Sequence, residues 1–160
     1  MINNGLIHRK GFTIIEMMIA LVIITVLAVV AVPTYRSYIT KAKLTEAFTI
    51  TANTKVAMVE YYNTHGHFPE NNLDIGMKES PHSQYIKELN IKKPLHHSSE
   101  QTGYIELTLN NINQGIKDGE KMFFTASIDN IGGIVKWGCG TIDDNLLQYM
   151  PYDCIEIEQP

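Results

Sequence analysis

No internal repeat, no low-complexity tract and no second long apolar run appear in these 160 residues. That excludes repeat arrays and low-complexity architectures. No G-x-S-x-G, no Walker loop and no carboxylate pair with a chemical rationale is present, so an enzyme is not expected. Nothing in the sequence calls for a cofactor. Basic charge is scarce where a body would be. From Leu44 onward there are 16 acids and 8 Lys or Arg, near -8 net. An acidic body gives no electrostatic reason to expect general nucleic-acid binding, so DNA is not indicated as a partner.

What is present is one apolar run near the start. It opens His8-Arg9-Lys10-Gly11-Phe12-Thr13-Ile14-Ile15-Glu16 and continues to Pro33. Between Phe12 and Val32 the only polar side chains are Thr13, Glu16 and Thr25. As helix those residues reach roughly 30 Å, about one hydrocarbon thickness. A core helix apolar on all sides does not suit so small a domain, because nothing remains to cover it.

Three readings compete. A cleaved secretory signal has small residues near Val29-Val30-Ala31, but the apolar region is long for one and contains Glu16. A plain anchor fits the length and leaves Glu16 unexplained. A cut between Gly11 and Phe12 explains it. The new α-amino group would carry positive charge one helical turn before Glu16. Between parallel helices staggered by about a turn, the amine of one could neutralise the carboxylate of the next. Such a pair sets register, because a mismatched charge in an apolar bundle is costly.

Lys10-Gly11-Phe12-Thr13-Ile14-Ile15-Glu16, followed by an apolar run to Pro33, resembles the precursors of type IV pilins. The resemblance is strong from Gly11 to about Tyr62 and looser at a C-terminal cysteine pair. It implies that a membrane prepilin peptidase cuts after Gly11 and N-methylates Phe12, with residues 1–11 as a leader. It implies Glu16 as the assembly register residue and Pro33 as a helix kink. It implies a precursor in the bacterial inner membrane, single-pass with a periplasmic head, and then an extracellular homo-oligomeric helical filament. The partners implied are the peptidase, an inner-membrane assembly platform, a secretin and minor pilins. Adhesion, twitching motility and DNA uptake are the functions of such fibres. A type II secretion pseudopilin, a minor pilin and, in another class, an uncleaved membrane-anchored periplasmic binding domain are the alternatives.

The rest of the chain reads as α+β: a long N-terminal helix whose first half spans a membrane and whose second half is amphipathic, packed on a small antiparallel sheet. The first half is 12–33 and the head 34–160. Leu44, Ala47, Phe48, Ala52, Val56, Val59 and Tyr62 recur at helical spacing, which predicts an amphipathic helix over 34–64. Arg36, Lys41 and Lys43 near the junction face either lipid head groups or water. Gly66 and Pro69 end the helix. A surface loop is expected over 65–102, with a short helix around Gln84–Leu89. A β-meander is expected over 103–138: Ile105, Leu107 and Leu109 alternate with polar residues, then come Met122–Ile128 and Ile134–Trp137. Ile155–Ile157 reads as a short fourth strand.

Cys139 and Cys154 form an even, closely spaced pair. In an exported chain that reads as a disulfide and in the cytosol as two thiols. The bounded segment, 139–154, resembles the C-terminal loop of pilins. It either presents a contact surface or seals the sheet edge. Metal is not expected. His65/His67 and His96/His97 would need folding to bring them together, and loop solvation is the expected state. Asp143, Asp144 and Asp153 lack the ligand order of a calcium loop.

Overall fold

The computed structural model describes residues 11–81, 83–93, 102–112, 115–129 and 133–156. The expected leader residues His8, Arg9 and Lys10, and His82, His96 and His97, lie outside these. The chain divides after Arg36 into two compact units. One helix, α1 (Ile14–His65), contains Pro33 in its interior. Proline therefore does not end it. Thr34 Oγ1 donates to the Val30 carbonyl at 3.0 Å beside it.

In the first unit every described residue is exposed. An 18-residue window of this helix has a mean hydropathy of 2.9 and none of it is buried. So much bare apolar surface needs lipid or protein around it.

The second unit is a sheet with the C-terminal part of α1 packed on it. Strands β1 (Ile86–Lys92), β2 (Thr102–Leu109), β3 (Lys121–Ile128) and β4 (Val135–Thr141) pair antiparallel in chain order. After β4 comes the four-residue helix α2 (Asp144–Leu147), then β5 (Ile155–Glu156). The core holds Leu44, Ala47, Met58, Phe68, Leu89, Ile105, Leu107, Met122, Phe124 and Leu146. Phe48 of α1 meets Phe124 edge-on with centroids 5.6 Å apart, a favoured aromatic geometry.

Four expectations need correction. The segment 65–102 is not all loop. Asn72–Ile75 is a 3-10 helix, and Gln84–Leu89, expected as a helix, runs into β1. A bulge between Ile86 and Glu88 breaks the alternation, so the buried Ile86 and Leu89 fall three apart and imitate helical spacing.

The helix stripe is also rotated. Ala52 and Val56 are exposed, while Thr40, Leu44, Ala47, Thr51, Thr54 and Met58 are buried. Threonine can face the core because its hydroxyl bonds back along the helix: Thr51 Oγ1 donates to the Ala47 carbonyl at 2.7 Å.

The sheet is antiparallel except at its end. There β5 pairs parallel with β4 through Gly140↔Ile155, because the α2 segment carries the chain back before it runs again alongside.

Lys43 is half-buried and is committed to the head rather than left free at the junction. Its Nζ donates to the Asn111 and Ile112 carbonyls at 3.0 and 2.9 Å, and so ties α1 to the β2–β3 connection.

The outer side of the sheet carries a polar knot. Glu106, almost buried, accepts from Lys92 at 2.7 Å and pairs with Lys121 at 3.2 Å. Burial raises its carboxyl, but the two lysines outweigh that and hold it below the usual range.

Candidate functional site

Thr13-Ile14-Ile15-Glu16 has the T-x-x-E pattern of a capping box. The structure forms it. The Thr13 main-chain N–H and its hydroxyl both donate to Glu16 Oε2, each at 2.8 Å. The Glu16 N–H reaches back to Thr13 Oγ1 at 3.3 Å. α1 therefore begins at Ile14, with Glu16 in its first turn, where an acid also suits the helix dipole.

Gly11 and Phe12 precede the helix. Phe12 is 80% exposed, and a methyl at Gly11 would meet nothing within 4 Å. The Gly11–Phe12 peptide bond thus lies outside the helix in uncovered chain, where a protease can reach it. Thr13 is the residue that sequence reasoning overlooked. Its signal was legible: a threonine three residues before a glutamate at the head of an apolar run.

The second constellation is at the other end of the chain. Cys139 and Cys154 are joined by a disulfide with Cα atoms 4.7 Å apart. The enclosed segment has buried and exposed parts. Leu146 and Met150 enter the core, while Tyr152 is 96% exposed. One part of the segment is therefore packed against the sheet and another part faces outward.

Asp143 is committed to structure. Its carboxylate caps α2, accepting from the Asn145 and Leu146 N–H groups at 2.7 and 3.1 Å. Partial burial raises that carboxyl, but hydrogen bonds with Glu120 and these N–H groups outweigh it and hold it low. Glu120 is pushed up by burial and by the same contact with Asp143. His65 and His67 lie near each other, with ring centroids 6.2 Å apart.

Residues 40–155 match the sequence profile of the pilin family, described as a bacterial filament protein. Residues 7–32 match the prokaryotic N-terminal methylation motif, which spans Gly11, Phe12, Thr13 and Glu16. The chain is 37% identical over 137 residues to a type IV major pilin protein PilE1 of Neisseria gonorrhoeae, covering 82% of this chain and 76% of that one. It is 36% identical over 134 residues to a fimbrial protein of Neisseria meningitidis serogroup B, covering 82% and 73%. With the fimbrial protein EcpC of Eikenella corrodens the identity is 27% over 154 residues, 95% of this chain and 94% of the relative. An exposed apolar helix, a capped acid at its head and a disulfide-closed α+β body therefore have a family: this chain is a non-enzymatic structural protein and belongs to the pilins.

Proposed function

We propose that this pilin is a subunit of a type IV pilus, made as a precursor with residues 1–11 as leader. Prepilin peptidase cuts between Gly11 and Phe12 and N-methylates Phe12. Before assembly the chain sits in the inner membrane through residues 12–33, with its head periplasmic. It then polymerises into a homo-oligomeric helical filament that leaves the cell. An assembly platform, a secretin and minor pilins are its partners, and the fibre serves adhesion, twitching motility or DNA uptake. Pro33 acts as a kink in the helix.

The observation that carries this reading is the wholly exposed apolar helix with Glu16 at its head. A membrane covers the apolar side chains but offers no counter-charge to a carboxylate in its first turn. A neighbouring subunit with a free Phe12 amine supplies both. The names of the relatives, type IV major pilin and fimbrial protein, favour a surface pilus over a pseudopilus.

The test is intact mass with N-terminal sequencing of protein from the native envelope and from sheared surface material. A chain starting at methylated Phe12 in the sheared fraction is expected. A chain that retains Met1–Gly11, or one that begins near Val32, would overturn the reading.

A further inference from the structure

Glu120 closes the β2–β3 connection and Asp143 opens α2, and the register of the sheet sets the two side by side. Met122 of β3 pairs with Thr141 of β4. The Thr141 hydroxyl donates to the Lys121 carbonyl at 2.8 Å and accepts the Asp143 N–H at 3.2 Å. Glu120, one residue before Lys121, and Asp143, two after Thr141, therefore leave the sheet at the same end. Both are half-buried, and their carboxyl groups are in hydrogen-bond contact.

Two carboxylates cannot bond to each other, because each only accepts. The contact needs one proton, and the surroundings decide which group carries it. Asp143 Oδ1 accepts both capping N–H groups, from Asn145 at 2.7 Å and Leu146 at 3.1 Å, which favours the ion there. Glu120 is under the opposite influence. Its burial and Asp143 raise its carboxyl, and Lys117 of the same connection opposes them. Of the other charges at this end, Lys121 is paired with Glu106 at 3.2 Å and Asp144 is exposed. Two acids pushed apart in this way divide into a donor and an acceptor.

We propose that Glu120 and Asp143 form a proton-held latch between the β2–β3 connection and the disulfide-closed segment. It is closed when Glu120 donates its proton to Asp143 and open when both are ionised and repel. Glu120 titrates above its usual 4.5 in the folded chain, so its contribution is full below 4.5 and is lost as pH rises through the folded value. Asp143 is held below its usual 3.8, so its contribution is full above 3.8 and is lost as pH falls through the folded value. The latch is closed between those two folded values. Leu146 and Met150 keep the segment in the core, so opening loosens the start of α2 rather than the whole segment. All the groups belong to one head, and the proposal stands independently of fibre assembly.

The test is hydrogen exchange of the full chain in detergent, read from the acid range up to neutrality and corrected for the intrinsic effect of pH. Near-UV circular dichroism confirms that each variant is folded. In the wild type, protection of the Asn145 and Leu146 amides should fall at least about threefold as Glu120 ionises, while Ile105 in β2 is unchanged. Glu120→Gln keeps a donor to Asp143 and cannot ionise, so its protection should stay at the acid level throughout. Glu120→Ala has no donor, so its protection should be low and flat. Carbon NMR should show the Glu120 carboxyl titrating above 4.5. A flat wild-type profile, a wild-type fall in either variant, or a Glu120 carboxyl titrating at or below its usual value would overturn the proposal.

Discussion

Thr13 and Glu16 hold each other across the first turn of α1, with two donors of the threonine converging on a single oxygen of the glutamate. The acid that sets subunit register in the proposed fibre is therefore also a helix cap. The two roles separate by substitution. Glu16→Gln keeps an acceptor for Thr13 and removes the charge. Amide exchange at the start of α1 should stay slow in that variant, while sheared fibre falls to background. Glu16→Ala should leave the monomer in the membrane, lose both properties and speed exchange at Thr13. A normal fibre yield from Glu16→Gln would sink the charge-pairing argument.

Gly103 is a contact requirement of the core. A methyl there would come within 2.8 Å of Met58 Cε and 2.9 Å of the Phe68 ring. Met58 and Phe68 are both buried, so neither can step aside into water. Gly103→Ala should destabilise the head by about 1–3 kcal/mol. Thermal unfolding measures it, and the double variant with Met58→Ala should lose less than the sum of the two single losses, because the colliding group is gone.

The bridge between Cys139 and Cys154 closes a segment with a sequence separation of 15. Restricting the unfolded chain over a loop of that size contributes about 3 kcal/mol. The Cys139→Ser/Cys154→Ser pair should show that loss in denaturant unfolding. Because Leu146 and Met150 are anchored in the core, the segment should stay docked, with Tyr152 as exposed as before.

Lys55 gives the head a pH dependence. Its Nζ lies 4.4 Å from the Phe124 centroid and 5.0 Å from that of Trp137. Burial lowers its pKa from the usual 10.5. Between the folded and unfolded pKa values the unfolded chain binds more protons, so stability rises with pH across that window. Below it the cost of burying the charge is fully present, offset by the two aromatic faces. Wild type should gain stability over Lys55→Met as pH climbs through the alkaline range. Parallel curves for the two would remove Lys55 from the account.

How much of this was legible depends on whether a residue's role follows from its own type or from its neighbours. Glu16 stood out because a charge in an apolar run has few explanations, and β2 to β4 because residues such as Ile105, Leu107 and Leu109 alternate cleanly. β1 was hidden by one bulge, which moved Leu89 out of phase with Ile86. Thr51 and Thr54 were passed over for Ala52 and Val56 because hydropathy ignores a hydroxyl satisfied by its own helix. Lys43 could not be placed, since its two acceptors lie 68 and 69 residues away.

The hidden strand β1 also needs protection, because it is an edge strand of the sheet and an open edge recruits other chains. Two side chains stand in for the missing neighbour. Asn72 donates to the Leu89 carbonyl at 2.8 Å and accepts from the Ile91 N–H at 2.7 Å. Ser80 both donates to and accepts from Leu89. Asn72→Ala should leave the fold standing and release the Ile91 amide, raising its hydrogen-exchange rate at least tenfold while Ile105 in β2 stays protected. Ser80→Ala should do the same at Leu89, and the double variant should aggregate on gentle warming. Unchanged exchange at Ile91 in Asn72→Ala would mean that the strand's own packing, through Ile86, Leu89 and Ile91, suffices to keep water and other strands away.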